Sequence, residues 1–148
     1  MLNKFISRPH LDALLFHFLK RIYRWERSIK ADYGLNYQEI YLLQHLREYS
    51  PCRVSDIAEE LRIPRFKATR LVSRLAQQEM LDKQKDAADQ RVVMVSLLPN
   101  GDQVLSRIEE NSFHLISENA ARLSDEEIKA FLLAAANIDK ILNLPEAE

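Results

Sequence analysis

Glycine is nearly missing from this chain: its 148 residues hold only two. A sheet-rich fold needs glycine at its turns, so this scarcity argues for helices and few tight turns. There is a single cysteine, Cys52, which excludes an intrachain disulfide and says nothing against a reducing compartment. No apolar run approaches the roughly 20 residues that span a bilayer. The segment Met1 to His10 lacks the apolar stretch and small-residue cleavage site of a signal peptide. A cytoplasmic protein without a membrane partner is expected. A phosphate-cradling glycine loop, a nucleophile elbow and a metal cluster are also missing. The four histidines (10, 17, 45 and 114) include no i, i+4 pair, and His10 and His17 lie two turns apart, about 10 Å. No enzyme, cofactor or metal site is expected.

What is present is an ordinary globular composition, 47% hydrophobic and 29% charged. The length suits one domain, or a small domain plus an arm. The net charge of −1 conceals unlike parts. From Arg62 to Arg74 there are five bases (Arg62, Arg65, Lys67, Arg70, Arg74) and no acid; from Asp102 to Glu148 there are ten acids against four bases. The basic segment is either a surface for a polyanion or a solvated helix face.

Hydrophobic spacing organises the chain. Leu11, Leu14, Leu15, Phe18, Ile22, Trp25 and Ile29 share one side of a long helix from His10 to about Ala31, which Gly34 stops. Asn36 to Glu39 is a capping box, with Leu35 and Ile40 as its staple, opening a second helix that ends before Pro51. Val54 to Leu61 reads as a short third helix. Pro64 opens a fourth, which runs to about Gln78. The period then changes to two: Val93, Val95 and Leu97 alternate with Val92, Met94 and Ser96, and Leu81 to Lys85 pairs with them across the polar loop Asp86 to Gln90. After Pro99 a long helix reaches about Ala120, with Val104, Leu105, Ile108, Leu115 and Ile116 inward. A capping box at Ser124 to Glu127, with Leu123 and Ile128 as staple, starts a last helix that ends near Leu144-Pro145.

Helix, tight turn, helix and hairpin, from Val54 to Leu97, is the order of a winged helix-turn-helix. At roughly 100° per residue, Ala68, Leu71, Val72 and Leu75 gather on one side of the fourth helix. Phe66, Arg70, Ser73 and Gln77 gather on the other, flanked by Thr69 and Arg74. A helix that reads DNA needs this division, with one face in the core and the other carrying base-edge donors and phosphate-binding cations. Arg70 offers a bidentate fork to guanine, Thr69, Ser73 and Gln77 serve bases or phosphates, and Arg65 and Lys67 suit backbone phosphates. Phe66 either meets a thymine methyl or packs back against its own domain.

Through Thr69-Arg-Leu-Val-Ser-Arg-Leu75 and Asp89-Gln-Arg91, the chain resembles the MarR family of bacterial transcription regulators. The likeness runs from the first helix to the last and is most specific from Leu61 to Gly101. It implies that Arg91 enters the minor groove and that Asp89 orients the wing through an ion pair. Three places depart from the family's usual pattern. Glu79 stands where glycine usually follows the recognition helix, so either a positive φ is kept at a cost or the helix ends differently. Pro64 and Phe66 replace small polar residues, and Leu98 replaces a threonine cap.

The resemblance also implies a homodimer built from the first and last helices. The expected architecture is mainly α with a small β-hairpin wing, a winged helix-turn-helix plus a helical dimerisation arm. Residues 1–34 supply the N-terminal helix of that arm, 35–98 the DNA-binding domain, and 99–148 the C-terminal dimerisation helices. The terminal helices carry more apolar surface than a small winged domain covers alone. A two-fold dimer implies double-stranded DNA with an inverted-repeat operator. The resemblance further implies release by a small aromatic or acyl-CoA-type effector. Candidate residues are His10, His17, Arg21 and Trp25, with Tyr23 and Arg24 nearby, where cations beside aromatics suit an aromatic carboxylate; a solvated stripe is the other reading. Cys52 is misplaced for the peroxide-sensing cysteine of some relatives and is expected as a half-buried small hydrophobe. The expected function is a sequence-specific DNA-binding regulator, a repressor. The alternative is a winged-helix protein-interaction module, which has no need of cations on both helix and wing.

Overall fold

The computed structural model describes residues 2–143. A short 3-10 turn at Leu2–Lys4 precedes α1 (Arg8–Tyr33), α2 (Tyr37–Tyr49), β1 (Cys52–Arg53), α3 (Val54–Glu60) and α4 (Arg65–Gln77). Then come β2 (Leu81–Lys85), β3 (Val93–Leu97), α5 (Pro99–Ala120), α6 (Asp125–Ala136) and α7 (Ile138–Ile141). The chain forms two compact units, one ending at Ile108 and the other beginning at Glu109. No helix among the described residues is long and apolar enough to cross a membrane.

Local chemistry explains the helix ends. Gly34 takes φ 73°, a left-handed conformation that glycine adopts without a Cβ clash, and its N–H donates to the Lys30 carbonyl at 2.8 Å. The Asn36 side chain accepts from the Glu39 N–H at 3.0 Å, and Glu39 Oε2 accepts from the Asn36 N–H at 2.8 Å. This closes the expected capping box, with Leu35 and Ile40 buried beside it. Pro64 precedes α4 as its cap rather than forming its first residue.

The sheet has three strands where the sequence suggested a two-stranded hairpin. β2 and β3 pair antiparallel, Leu81 opposite Leu97 and Lys85 opposite Val93. β1 joins the other edge of β3, with Cys52 opposite Val95, giving the order β1-β3-β2. Two residues are too few to show alternation, which is why β1 escaped the pattern. The core of the first unit joins Leu42, Leu43 and Leu46 of α2, Ile57 of α3, Val72 and Leu75 of α4, Leu81 and Val95 of the sheet, and Leu105 of α5. Arg47 fastens α2 to the start of α5: its Nε lies 2.7 Å from Asp102 Oδ1, and Nη2 donates to Ser106 Oγ at 3.0 Å.

Two backbone positions, one on each side of the wing strands, are sterically constrained. Glu79 takes φ 55°, so the left-handed turn that the sequence left open is kept, with a glutamate in it. Gly101 on α5 is buried against that turn; a Cβ there would stand 2.2 Å from the Met80 carbonyl oxygen. Both glycines of the chain therefore answer a definite steric demand.

Cys52 is buried more completely than expected, at 7% exposure. Burial, and then the Asp56 carboxylate, push its thiol up to about 11.

The apolar faces of the longer helices are only partly covered. On α1, Ile29 is buried, Leu11, Ile22 and Trp25 are half-buried, and Leu14, Leu15 and Phe18 are exposed. On α5, Leu105 and Ile108 are buried, but Leu115 and Ile116, expected inward, are 48% and 50% exposed. α6 begins at its expected capping box, with Ser124 Oγ accepting from the Glu127 N–H at 3.3 Å, yet buries none of its residues. The last helix is not continuous. It breaks at Asn137, whose side-chain amide donates to the Leu133 carbonyl at 2.8 Å. Its expected end near Leu144-Pro145 lies outside the described residues.

Three outcomes follow from these contacts. Gly101→Ala should destabilise by about 2–3 kcal/mol, because the obstacle is backbone, and thermal unfolding should show it. Glu79→Gly should instead stabilise by roughly 0.5–1 kcal/mol through relief of the left-handed strain; a lower Tm would contradict this. At neutral pH the raised thiol is almost wholly protonated, so a disulfide reagent should label native Cys52 about 100-fold more slowly than the unfolded chain, with the native rate climbing as pH approaches 11.

Candidate nucleic-acid interface

The candidate surface is built on α4, and the division predicted for that helix is present. Ala68, Val72 and Leu75 are buried and Leu71 is half-buried, anchoring one side in the core. Arg65, Lys67, Thr69, Arg70 and Gln77 are exposed on the remainder. Phe66 is 62% exposed, so it does not pack back against its own domain. No acid occurs between Leu61 and Gln78. Among the described residues, Arg65, Lys67 and Arg70 make no ion pair. Their positive charge is therefore uncompensated among the described residues.

Two of the expected residues are engaged inside the chain. Ser73 is half-buried, and its hydroxyl accepts from Lys83 Nζ at 3.1 Å, tying α4 to β2. Arg74 turns toward the α1–α2 corner. Its Nη1 lies 2.9 Å from Glu39 Oε1, and its Nη2 donates to the Gly34 carbonyl at 3.0 Å. Thr69 is exposed but donates its hydroxyl to the Arg65 carbonyl at 3.0 Å, one turn back.

Lys83 joins this surface in addition to the residues that the sequence marks out. Strand periodicity was its signal: two residues after buried Leu81, it shares that face of β2 and so points toward α4. With Arg65, Thr69, Ser73 and three valines (Val54, Val72, Val93) it lines a notch of about 100 Å³ between α4 and the wing. On the opposite flank of α4, Gln38, Lys67, Arg70, Leu71 and Arg74 line an open groove of about 360 Å³.

The wing tip is organised by Asp89, though not through the expected ion pair. Asp89 Oδ1 accepts from the Arg91 backbone N–H at 2.9 Å, and its carbonyl accepts from Val92 N–H at 3.0 Å. Asp86 N–H donates to the Val92 carbonyl at 2.9 Å, and the Gln90 amide donates to the Asp86 carbonyl at 3.1 Å. Asp89 makes no ion pair among the described residues. A short carboxylate that caps the backbone two residues on is an Asx turn, and it suits a tight loop better than a pairing across it. The Arg91 side chain is left exposed and, among the described residues, without an ion pair.

The effector candidates on α1 are strung out rather than gathered. His10 to Trp25 spans about 22 Å of helix at 1.5 Å per residue. His10 Nδ1 lies 2.6 Å from Ser7 Oγ; His17 and Arg21 are exposed. Trp25 is half-buried with its ring edge-on to Tyr37, centroids 6.4 Å apart. The close cation–aromatic pair on this helix is a different one, Arg27 over Tyr23 at 5.9 Å. Its signal was the i, i+4 spacing. Among the described residues no group of three His, Cys, Asp or Glu side chains is placed to hold a metal ion.

Comparison with known proteins agrees with this geometry. Residues 35–93, from the α1–α2 corner through the start of β3, match the model of the MarR family. The HTH-type transcriptional repressor MdtR of Bacillus subtilis is 25% identical over 117 residues, covering 75% of this chain and 76% of MdtR. A MarR family protein from Bacillus stearothermophilus has the same fold, with a TM-score of 0.75 at 20% identity, over 92% of this chain and 95% of that one. The Bordetella bronchiseptica protein BpsR, described in terms of regulation of its DNA binding by 6-hydroxynicotinic acid, superposes with a TM-score of 0.61 at 21% identity, over 85% of this chain and 98% of BpsR. The α3–α4 pair and the three-stranded wing form a winged helix-turn-helix, the fold of these MarR family structures, and residues 35–93 match that family of transcriptional regulators.

Proposed function

We propose that the protein is a homodimeric repressor that reads an inverted-repeat operator and releases it on binding a small effector. The observation that carries this reading is the cationic surface on two separate elements, Arg65, Lys67 and Arg70 on α4 and Arg91 on the wing, with no ion pair among the described residues. In the proposed complex α4 lies in the major groove. Arg70 and Gln77, with Thr69, face base edges, and Arg65 and Lys67 bind backbone phosphates. Exposed Phe66 meets a thymine methyl. The wing places Arg91 in the adjacent minor groove, with Asp89 holding the turn beneath it. Ser73 acts mainly by keeping the wing against the helix through Lys83.

The dimer is supported by the apolar surface that a single chain leaves open. Phe131, Leu132 and Leu133 of α6 are 59%, 59% and 68% exposed, and Phe113 of α5 is 69% exposed. Patches of this kind are rare on soluble monomers. A two-fold axis sets the half-sites about one helical turn apart, roughly 34–36 Å. The acidic C-terminal segment, from Asp102 onward, is poorly suited to a polyanion and is proposed to make no DNA contact. The repressor role follows the name of MdtR, and the effector follows the description of BpsR. A small aromatic acid or an acyl-CoA thioester is the proposed class of effector. His10, His17, Arg21 and Trp25 are its proposed contacts, completed in the dimer.

Titration of fluorescent operator duplexes over a range of salt concentrations tests the DNA reading. Arg91→Ala should weaken binding and reduce the slope of log affinity against log salt by about 0.9, the value of one phosphate-level contact. Arg70→Ala should cost about 1–3 kcal/mol and relax base preference at one operator position per half-site. Unchanged affinity and slope for Arg91→Ala would remove the wing from the interface, and a uniform loss at all positions for Arg70→Ala would make that residue a phosphate contact.

A further inference from the structure

Arg74 shares a flank of α4 with the cations expected to serve DNA, but the structure assigns it, with Glu39, to holding the recognition helix in place. Glu39 is the single fully buried charged residue among the described residues, at 0% exposure. Its Oε2 caps α2 at Asn36. Its Oε1 makes no hydrogen bond among the described residues; the charge of Arg74 Nη1, 2.9 Å away, is its compensation. An ionised carboxylate buried to this degree is costly unless a cation stands beside it, so the pair is held together strongly. The second arm of the guanidinium is spent on the Gly34 carbonyl, at the residue that ends α1. A guanidinium suits this double duty because its donors lie in a rigid plane, which an ammonium lacks.

The consequence for reading DNA is geometric. The buried side of α4 consists of Ala68, Val72 and Leu75, apolar contacts with no directional preference. Arg74 adds a directional tie near the C-terminal end of the helix, to a corner 40 residues earlier. Arg70 and Gln77 stand one turn to either side of it. A tie at this point sets how α4 is rolled about its axis, and hence which edges Arg70 and Gln77 meet. Glu39 and Arg74 are thus positioning residues for base reading. Neither neutralises a phosphate, because the guanidinium already has its anion. This inference rests on the DNA-binding reading above.

The experiment uses the full chain and two duplexes, one selected by the wild-type protein from a random pool and one of random sequence. Arg74→Gln and Glu39→Gln are compared with wild type below their unfolding temperatures, with circular dichroism confirming the fold. The inference expects each substitution to reduce the affinity ratio between the selected and random duplexes roughly tenfold, the size of one lost base contact. It also expects the salt slope on the random duplex to stay the same. Arg74→Lys, which keeps the charge beside Glu39, should recover part of the ratio. If Arg74 is a phosphate ligand instead, Arg74→Gln lowers affinity for both duplexes alike and reduces the slope by about 0.9, while Glu39→Gln frees the arginine and tightens binding; either result overturns the inference. Should Arg74→Gln fail to fold, Glu39→Gln alone decides, since it preserves the volume and offers the same oxygen to the Asn36 cap. Absence of salt-dependent binding by the wild type to either duplex overturns the DNA-binding reading and this inference with it.

Discussion

Burial of one side of α4 is the interaction on which the reading unit depends. Val72 and Leu75 are removed from water almost completely, and each such side chain contributes about 1.5–3 kcal/mol. The opposite side gathers Arg65, Lys67 and Arg70 without an acid among them. Like charges at the surface repel by about 1 kcal/mol or less per pair at such spacings in water. The apolar anchor therefore outweighs the repulsion, and the helix can present a concentrated positive face without leaving the core. Everything that aims that face acts on the same helix: Arg74 reaches to the α1–α2 corner, Ser73 meets Lys83 of β2, and the turn at Glu79 leads into the wing.

The helices and the hairpin were legible because their signals are local. The capping boxes at Asn36 and Ser124 closed as their spacing implied, and the alternation of Val93, Val95 and Leu97 gave the strand its register. Features that depend on distant partners were hidden. The angle of Arg74 on α4 is the angle of a DNA-facing flank, and only the fold brings Glu39 close enough to claim its charge. β1 has two residues and acquires its identity from β3. The break at Asn137 comes from a side-chain amide that takes a helix carbonyl, a competition that apolar spacing does not report.

The site residues divide in the same way. Arg65, Lys67, Arg70 and Phe66 face solvent where helical periodicity put them, because an amphipathic helix with a buried side leaves little choice for the other. Ser73 lies on that side too, yet strand β2 comes near enough to half-bury it. Glu79 illustrates a third case. The sequence leaves the positive φ open, and the fold keeps it: Glu79 takes φ 55°, directly before Met80, whose carbonyl oxygen lies too near Gly101 for a Cβ there.

The construction of the wing loop has a bearing on how ionic strength acts on this protein. Asp89 holds the loop with a hydrogen bond to the Arg91 backbone rather than by attraction to a distant cation, and the loop's other ties run between backbone groups or from the Gln90 amide. Mobile ions weaken charge–charge attraction at exposed sites but leave short neutral-donor hydrogen bonds largely intact. The loop thus keeps its shape at high salt while the Arg91 guanidinium loses its reach.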